Sequence, residues 1–208
     1  AWAWVRVELT TPKPMVDVRM LVHRPVLITN VTTFVMGYAL FGTWYLVPQL
    51  VQAPRGWAAE DAAAADYGLH ATVTQSGLYS VSCSLALVSL APVAGTVAKR
   101  RGGRLPLGLG MAVLAASALA LAAWHDTAWQ VVLCMFVLGV GIAFAFGAIP
   151  MLITEAVRGE ELGVATGMNA VMRTIGGVIG GQVGALLLTS QVVGPGRVPA
   201  EAAFATAF

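Results

Sequence analysis

Arg173 is the one charged side chain inside a long apolar run of this sequence, residues 163–189. A charge buried in a membrane costs at least about 2.5 kcal/mol, so such a residue usually serves a function. Asn169 precedes Arg173 by one helical turn and lies on the same face. The functional interpretation is that Arg173 holds an anionic substrate group or an acidic partner, for which Glu155 is the nearest candidate. The alternative is that Arg173 reaches the lipid headgroups, since ten residues of helix cover only about 15 Å.

Aromatic residues form a stripe along the first apolar run, residues 26–47. They recur at helical spacing, which places them on one face. Rings with a few polar groups suit a pocket for an apolar or cationic organic molecule. The alternative is ordinary helix packing with an aromatic belt at the membrane interface. The stripe contains Asn30, Phe34, Gly37, Phe41 and Trp44, with Tyr45 and Gln49 beside it.

The sequence contains no motif of an enzyme active site. It has no GxxxxGK[ST] phosphate loop, no HExxH pair and no GxSxG elbow. His23, His70 and His125 are scattered outside the apolar runs, and Cys83 and Cys134 lie within runs without a nearby histidine. We therefore predict neither an enzyme nor a bound metal or other cofactor.

The composition indicates a membrane protein. Of 208 residues, 58% are hydrophobic and 11% are charged, against about 25% charged in soluble domains. Five runs are long and apolar enough to cross a bilayer as helices. The predicted fold is an all-α, polytopic membrane helix bundle, and the net charge of +2 is too small to indicate nucleic-acid binding. The predicted spans are residues 26–47, 77–98, 105–124, 129–154 and 163–189.

Basic residues mark one side of the bundle. The densest group is the turn GTVAKRRGGR, residues 95–104. With five alternating spans, nine Lys and Arg residues fall on the side of that turn, whereas Arg55 and Arg197 fall on the other. The positive-inside rule predicts that the basic side is cytoplasmic. The chain would then lie in the plasma membrane with its N-terminus inside and its C-terminus outside.

The flanking segments complete the predicted organisation. Residues 1–25 form a cytoplasmic lead-in, and residues 48–76 form an outer loop that is either a solvated cap or a substrate vestibule. Residues 190–208 contain the loop signal GPGRVP and then AEAAFATAF, which turns apolar again. We interpret this last stretch as the start of a truncated sixth span. Because the chain also lacks an initiator methionine, the sequence indicates a fragment.

Four stretches together resemble the C-terminal half of a major facilitator superfamily transporter, in its fourteen-span drug:proton antiporter branch. They are Arg24-Pro25 leading to Asn30; LVPQLVQ, residues 46–52; the basic turn; and GVATGMN, residues 163–169, followed by Arg173 and its glycines. The lead-in PMVDVR, residues 14–19, is also similar to that branch.

The resemblance implies a half of six helices built as two inverted triplets, with the first helix of each triplet lining the substrate cavity. Those helices are spans one and four, which adds Phe136, Gly139, Ala143 and Phe146 as cavity candidates facing the aromatic stripe. The family's loop motif is Gly-x-x-x-Asp-Arg-x-Gly-x-Arg, and its acid helps to latch the two halves together. Five residues of the turn match this motif or lie within it: Gly95, Arg100, Gly102, Gly103 and Arg104. Lys99 stands in the place of the acid.

The predicted function is therefore proton-driven export of drugs or secondary metabolites by alternating access. The expected partners are the lipid bilayer, a small organic substrate, protons and the missing N-terminal half of the transporter. Two alternatives remain open: a solute importer of the same fold, and a membrane subunit that does not transport.

Overall fold

The structure is a computed structural model that describes residues 23–53, 67–193 and 198–208. Most of the predicted lead-in, the centre of the long loop and part of the GPGRVP stretch lie outside these residues. A 3₁₀ turn, Gly159–Glu161, precedes the fifth helix, and two short strands, Val192–Val193 and Val198–Pro199, pair antiparallel after it. The elements are α1 Arg24–Gln52, α2 Val73–Arg101, α3 Arg104–Ala123, α4 Ala128–Ala156, α5 Leu162–Ser190, β1 Val192–Val193, β2 Val198–Pro199 and α6 Glu201–Ala207.

The predicted all-α membrane bundle is confirmed. In the described residues, α1 to α5 are each long and apolar enough to cross a membrane. Most of the observed ends lie within three residues of the predicted ones; the largest difference is at α1, which ends at Gln52 rather than at residue 47. A proline lacks an N–H and obstructs the preceding turn, so Pro48 is an unfavourable residue inside a helix. The helix instead continues through Pro48.

Local sequence explains where three of the helices begin. Thr72 with Gln75 and Thr127 with Gln130 form capping boxes at the starts of α2 and α4. Pro25 lies in the first turn of α1, where its missing N–H costs nothing. These signals fix the helix starts independently of the apolar pattern.

The helices pack as two equivalent pairs. α1 lies against α5, and α4 lies against α2 and also against α3. In both pairs a glycine admits the partner's backbone: a methyl group on Gly37 would overlap the carbonyl oxygen of Arg173, and one on Gly139 would overlap that of Cys83. The pair of α1 and α5 corresponds to the pair of α4 and α2, because each joins the first helix of one triplet to the second helix of the other. Two inverted triplets produce this arrangement.

The two ends of the bundle differ in chemistry. The basic end, defined by Lys99 to Arg104, also brings together Arg24 and Glu155. At the opposite end α6 packs on an apolar cluster that includes Leu46, Leu50, Tyr67, Leu188 and Phe204.

Candidate functional site

A buried polar cluster joins α1 to α5. The amide nitrogen of Asn169 donates to Asn30 Oδ1 at 3.0 Å and to Thr33 Oγ1 at 2.9 Å. All three residues are buried. Inside an apolar bundle, such bonds fix the relative position of two helices, because an unpaired amide there is costly.

Sequence reasoning placed these asparagines in separate roles and missed Thr33. A signal for the pairing was nevertheless present, because Asn30 and Asn169 are the only two asparagines in the chain. Each interrupts a predicted membrane span, so each needs a polar partner at that depth. Thr33, one turn after Asn30, is the further polar group on that face.

Arg173 lies one turn further along α5 and reaches across to α4. Its guanidinium carbon is 5.1 Å from the centre of the Phe146 ring, a cation–π geometry. In the part of the chain that the structure describes, no carboxylate lies within 4.0 Å of this guanidinium. The side chain is half-buried. A cation is thus held on an aromatic face between α4 and α5 without a neutralising acid among the described residues.

Glu155 does not pair with Arg173. It is the second-to-last residue of α4 and lines a cavity of about 740 Å³ at the basic end. Arg24 and Arg104 line the same cavity. The expectation of a Glu155 partner is therefore corrected: the turns of α4 between Phe146 and Glu155 carry the carboxylate to the basic end, away from the guanidinium.

The aromatic stripe of α1 divides into a packed part and an exposed part. Its face lies against α5: the carbonyl group of Phe34 fills the space beside Gly176, and the ring of Phe41 fills the space beside Gly177. Asn30 and Gly37 are buried in the same contact. The alternative interpretation, helix packing, therefore describes this part of the stripe.

Four stripe residues nearer the opposite end keep much of their surface exposed, although one side of the Phe41 ring packs beside Gly177. Phe41 and Trp44 are 41% and 47% exposed, and their rings meet edge to face with centres 6.1 Å apart. Tyr45 and Gln49 are exposed beside them. These rings are available for contact with a ligand or with another part of the protein.

The four candidates on α4 are in different environments. Phe136 is exposed and Phe146 is half-buried beneath Arg173. Gly139 is closed off by the backbone of α2, and Ala143 is fully buried. The two phenylalanines can contact a ligand, whereas the two small residues serve close packing.

The basic turn is a compact helix–helix connection. Lys99 and Arg100 lie in the last turn of α2, where cations favourably meet the helix dipole. Gly102 has a φ of 79°, which favours glycine. A side chain on Gly103 would overlap Leu152 of α4, whereas Gly95 has open space around it. Arg104 begins α3 and lines the cavity at the basic end.

The bundle of apolar helices and its inverted pairing define a polytopic membrane protein of transporter architecture. The sequence model of one protein family, the Major Facilitator Superfamily, matches residues 5–190 of the chain. The chain therefore belongs to the major facilitator superfamily, the transporter family that its motifs resemble.

Curated relatives carry names of resistance proteins. The chain is 25% identical to multidrug resistance protein Stp of Mycobacterium tuberculosis over 85% of this chain and 30% of that protein. It is 27% identical to methyl viologen resistance protein SmvA of Salmonella typhimurium over 95% of this chain and 37% of that protein. It is 28% identical to a tetracycline resistance determinant of Streptomyces rimosus over 73% of this chain and 40% of that protein. The chain thus spans about a third of the length of these relatives.

Proposed function

We propose that this chain is the C-terminal half of a proton-driven exporter of small organic compounds. The observation that carries the proposal is Arg173, a cation inside a membrane-length helix that rests on the Phe146 ring. Such a residue is costly unless it serves binding or coupling. The family membership and the resistance relatives support export as that function.

The proposed substrates are aromatic or cationic organic molecules. Phe41, Trp44 and Phe136 offer exposed rings on the two helices that begin the triplets. Ring faces attract organic cations and stack on planar molecules. Methyl viologen and tetracycline, which appear in the names of two relatives, belong to these chemical classes and are suitable first test compounds.

The proposed mechanism is alternating access between two halves. The triplets of this chain would rock as a unit against an N-terminal half, with the basic end in the cytoplasm and the opposite end outside. The hydrogen bonds of Asn169 to α1 support rigid movement of α1 with α5. On this account the chain does not transport by itself.

Accumulation of methyl viologen in cells tests the export proposal. Cells that express the complete transporter should hold less of the compound than cells with an empty vector, and collapse of the proton gradient should abolish the difference. Equal accumulation for methyl viologen, tetracycline and a panel of cationic dyes, with the protein present in the membrane, would contradict export. Greater accumulation would favour the importer alternative.

A further inference from the structure

His125 is a buried histidine whose tautomer is fixed by its surroundings. It follows α3, and only 6% of the residue is exposed. Its Nδ1 lies 2.7 Å from the carbonyl oxygen of Leu121. Because a carbonyl oxygen can only accept, Nδ1 must carry the hydrogen. In the neutral ring, Nε2 is then a bare acceptor.

The bare nitrogen faces a carboxylate. Nε2 of His125 is 3.6 Å from Oε1 of Glu201, the first residue of α6. Nε2 is buried and has no hydrogen-bond partner among the described residues. Two acceptors therefore oppose each other when no proton is present. One added proton turns the same geometry into a donor and a charged acceptor.

Tyr67 and Asp126 are titratable groups near the pair, and water reaches one side of it. The side chain of Glu201 is 42% exposed, so water reaches the carboxylate although it does not reach the ring. Tyr67, on the segment before α2, donates its hydroxyl hydrogen to the carbonyl oxygen of Pro199. Burial, together with the nearby charge of Glu201, raises the pKa of Tyr67 to about 12, so its phenol stays neutral at physiological pH. Asp126, next to His125 in the chain, also takes part in an interaction.

We propose that His125 and Glu201 form a proton-binding site at the opposite end of the bundle. A single proton held between Nε2 and Oε1 fastens the α3–α4 connection to the start of α6. Without that proton, the repulsion between the two acceptors loosens the start of α6, which still packs on the apolar cluster around Phe204. The link to transport rests on the proposed function, in which this end faces the external medium.

Nuclear magnetic resonance of the complete transporter in nanodiscs tests the site directly. In the wild type, the ¹⁵N signal of His125 Nε2 and the carboxyl ¹³C signal of Glu201 should titrate together, with one shared midpoint, when the pH is lowered from about 8 to about 5. In Glu201→Gln the Nε2 signal should titrate at a different midpoint. Independent titration of the two groups, or an unchanged midpoint in Glu201→Gln, would overturn the proposal.

Thermal unfolding over the same pH range supplies a second measurement. The unfolding temperature of the wild type should rise as the pH falls through the midpoint, because the proton supplies the missing donor. Glu201→Gln should lose this pH-dependent rise, since its amide can donate to Nε2 at every pH. His23→Asn changes an exposed histidine at the basic end and should keep it. The proposal is wrong if Glu201→Gln retains the full pH dependence.

These measurements require no substrate, so their outcome is separate from that of the export experiment. A transporter that exports nothing can still show the shared titration. Conversely, an active exporter in which His125 and Glu201 titrate independently would lack this site.

Discussion

Individual residues of the candidate site have separable roles because they use different atoms. The backbone of Arg173 packs against Gly37, whereas its guanidinium rests on Phe146. Removing the side chain therefore leaves the helix contact in place. Asn169, by contrast, uses its side chain to hold α1.

Arg173→Ala should abolish export while leaving the amount of protein in the membrane unchanged. The reason is that the substitution removes the buried cation but not the α1–α5 contact. Accumulation of methyl viologen in cells, with protein quantified by immunoblotting, measures both effects. Arg158→Ala is the matched control, since Arg158 is exposed at the basic end. Normal export by Arg173→Ala would support the interpretation that Arg173 only reaches the headgroups.

Trp44→Ala should change the range of compounds exported rather than abolish export. Trp44 is exposed beside Phe41, and a ring of this kind contributes about 0.5–1.5 kcal/mol to stacking. Resistance to a panel of planar cations and neutral drugs measures the effect, with a change of roughly 2- to 10-fold for individual compounds. Trp129→Ala is the control. Trp129 is also an exposed tryptophan, but it belongs to α4, outside the α1 stripe, and contacts Trp124. An unchanged panel would count against a ligand at Trp44.

Helix packing explains much of what the sequence predicted as a pocket. The spacing of the α1 stripe predicted that its residues share one face, but the same spacing serves a pocket and a helix contact equally well. Glycines of α5 decide between these possibilities, because they let the backbone of α1 approach. Which helix meets that face depends on the tertiary arrangement, and the spacing within one helix does not contain this information.

Gly176→Ala should destabilise the bundle, whereas Gly181→Ala should not. A methyl group on Gly176 would lie 2.9 Å from the carbonyl carbon of Phe34, and one on Gly181 would meet nothing within 4 Å. Overpacking of this kind costs about 1–3 kcal/mol. Thermal unfolding of the purified complete transporter compares the two substitutions, which lie on the same helix. Equal unfolding temperatures would show that α1 and α5 are not in close contact.

The whole molecule was predicted better than its site. Runs of about 20 apolar residues identified five helices, because the thickness of a bilayer sets a minimum length for each span. The pairing of Asn30 with Asn169 and the burial of His125 were not predicted, since both depend on contacts between residues far apart in the chain. The absence of an acid beside Arg173, among the described residues, likewise required the arrangement of α4 and α5.

The gene tests the proposal that the chain is one half of a larger transporter. We expect about six or more further hydrophobic spans encoded upstream, and the remainder of a sixth span encoded downstream of Phe208. Sequencing of the surrounding region is the measurement. A start codon directly upstream with no further spans would favour the membrane subunit that does not transport.

Exchange of substrate for protons is the central claim, and everted membrane vesicles measure it most directly. Respiration acidifies the vesicle interior and quenches a pH-sensitive dye. In vesicles that contain the complete transporter, methyl viologen or tetracycline should restore the fluorescence, because protons leave as the compound enters, and Arg173→Ala should remove this response. No recovery with any compound of the panel, from vesicles that contain the wild-type protein, would contradict proton-driven export.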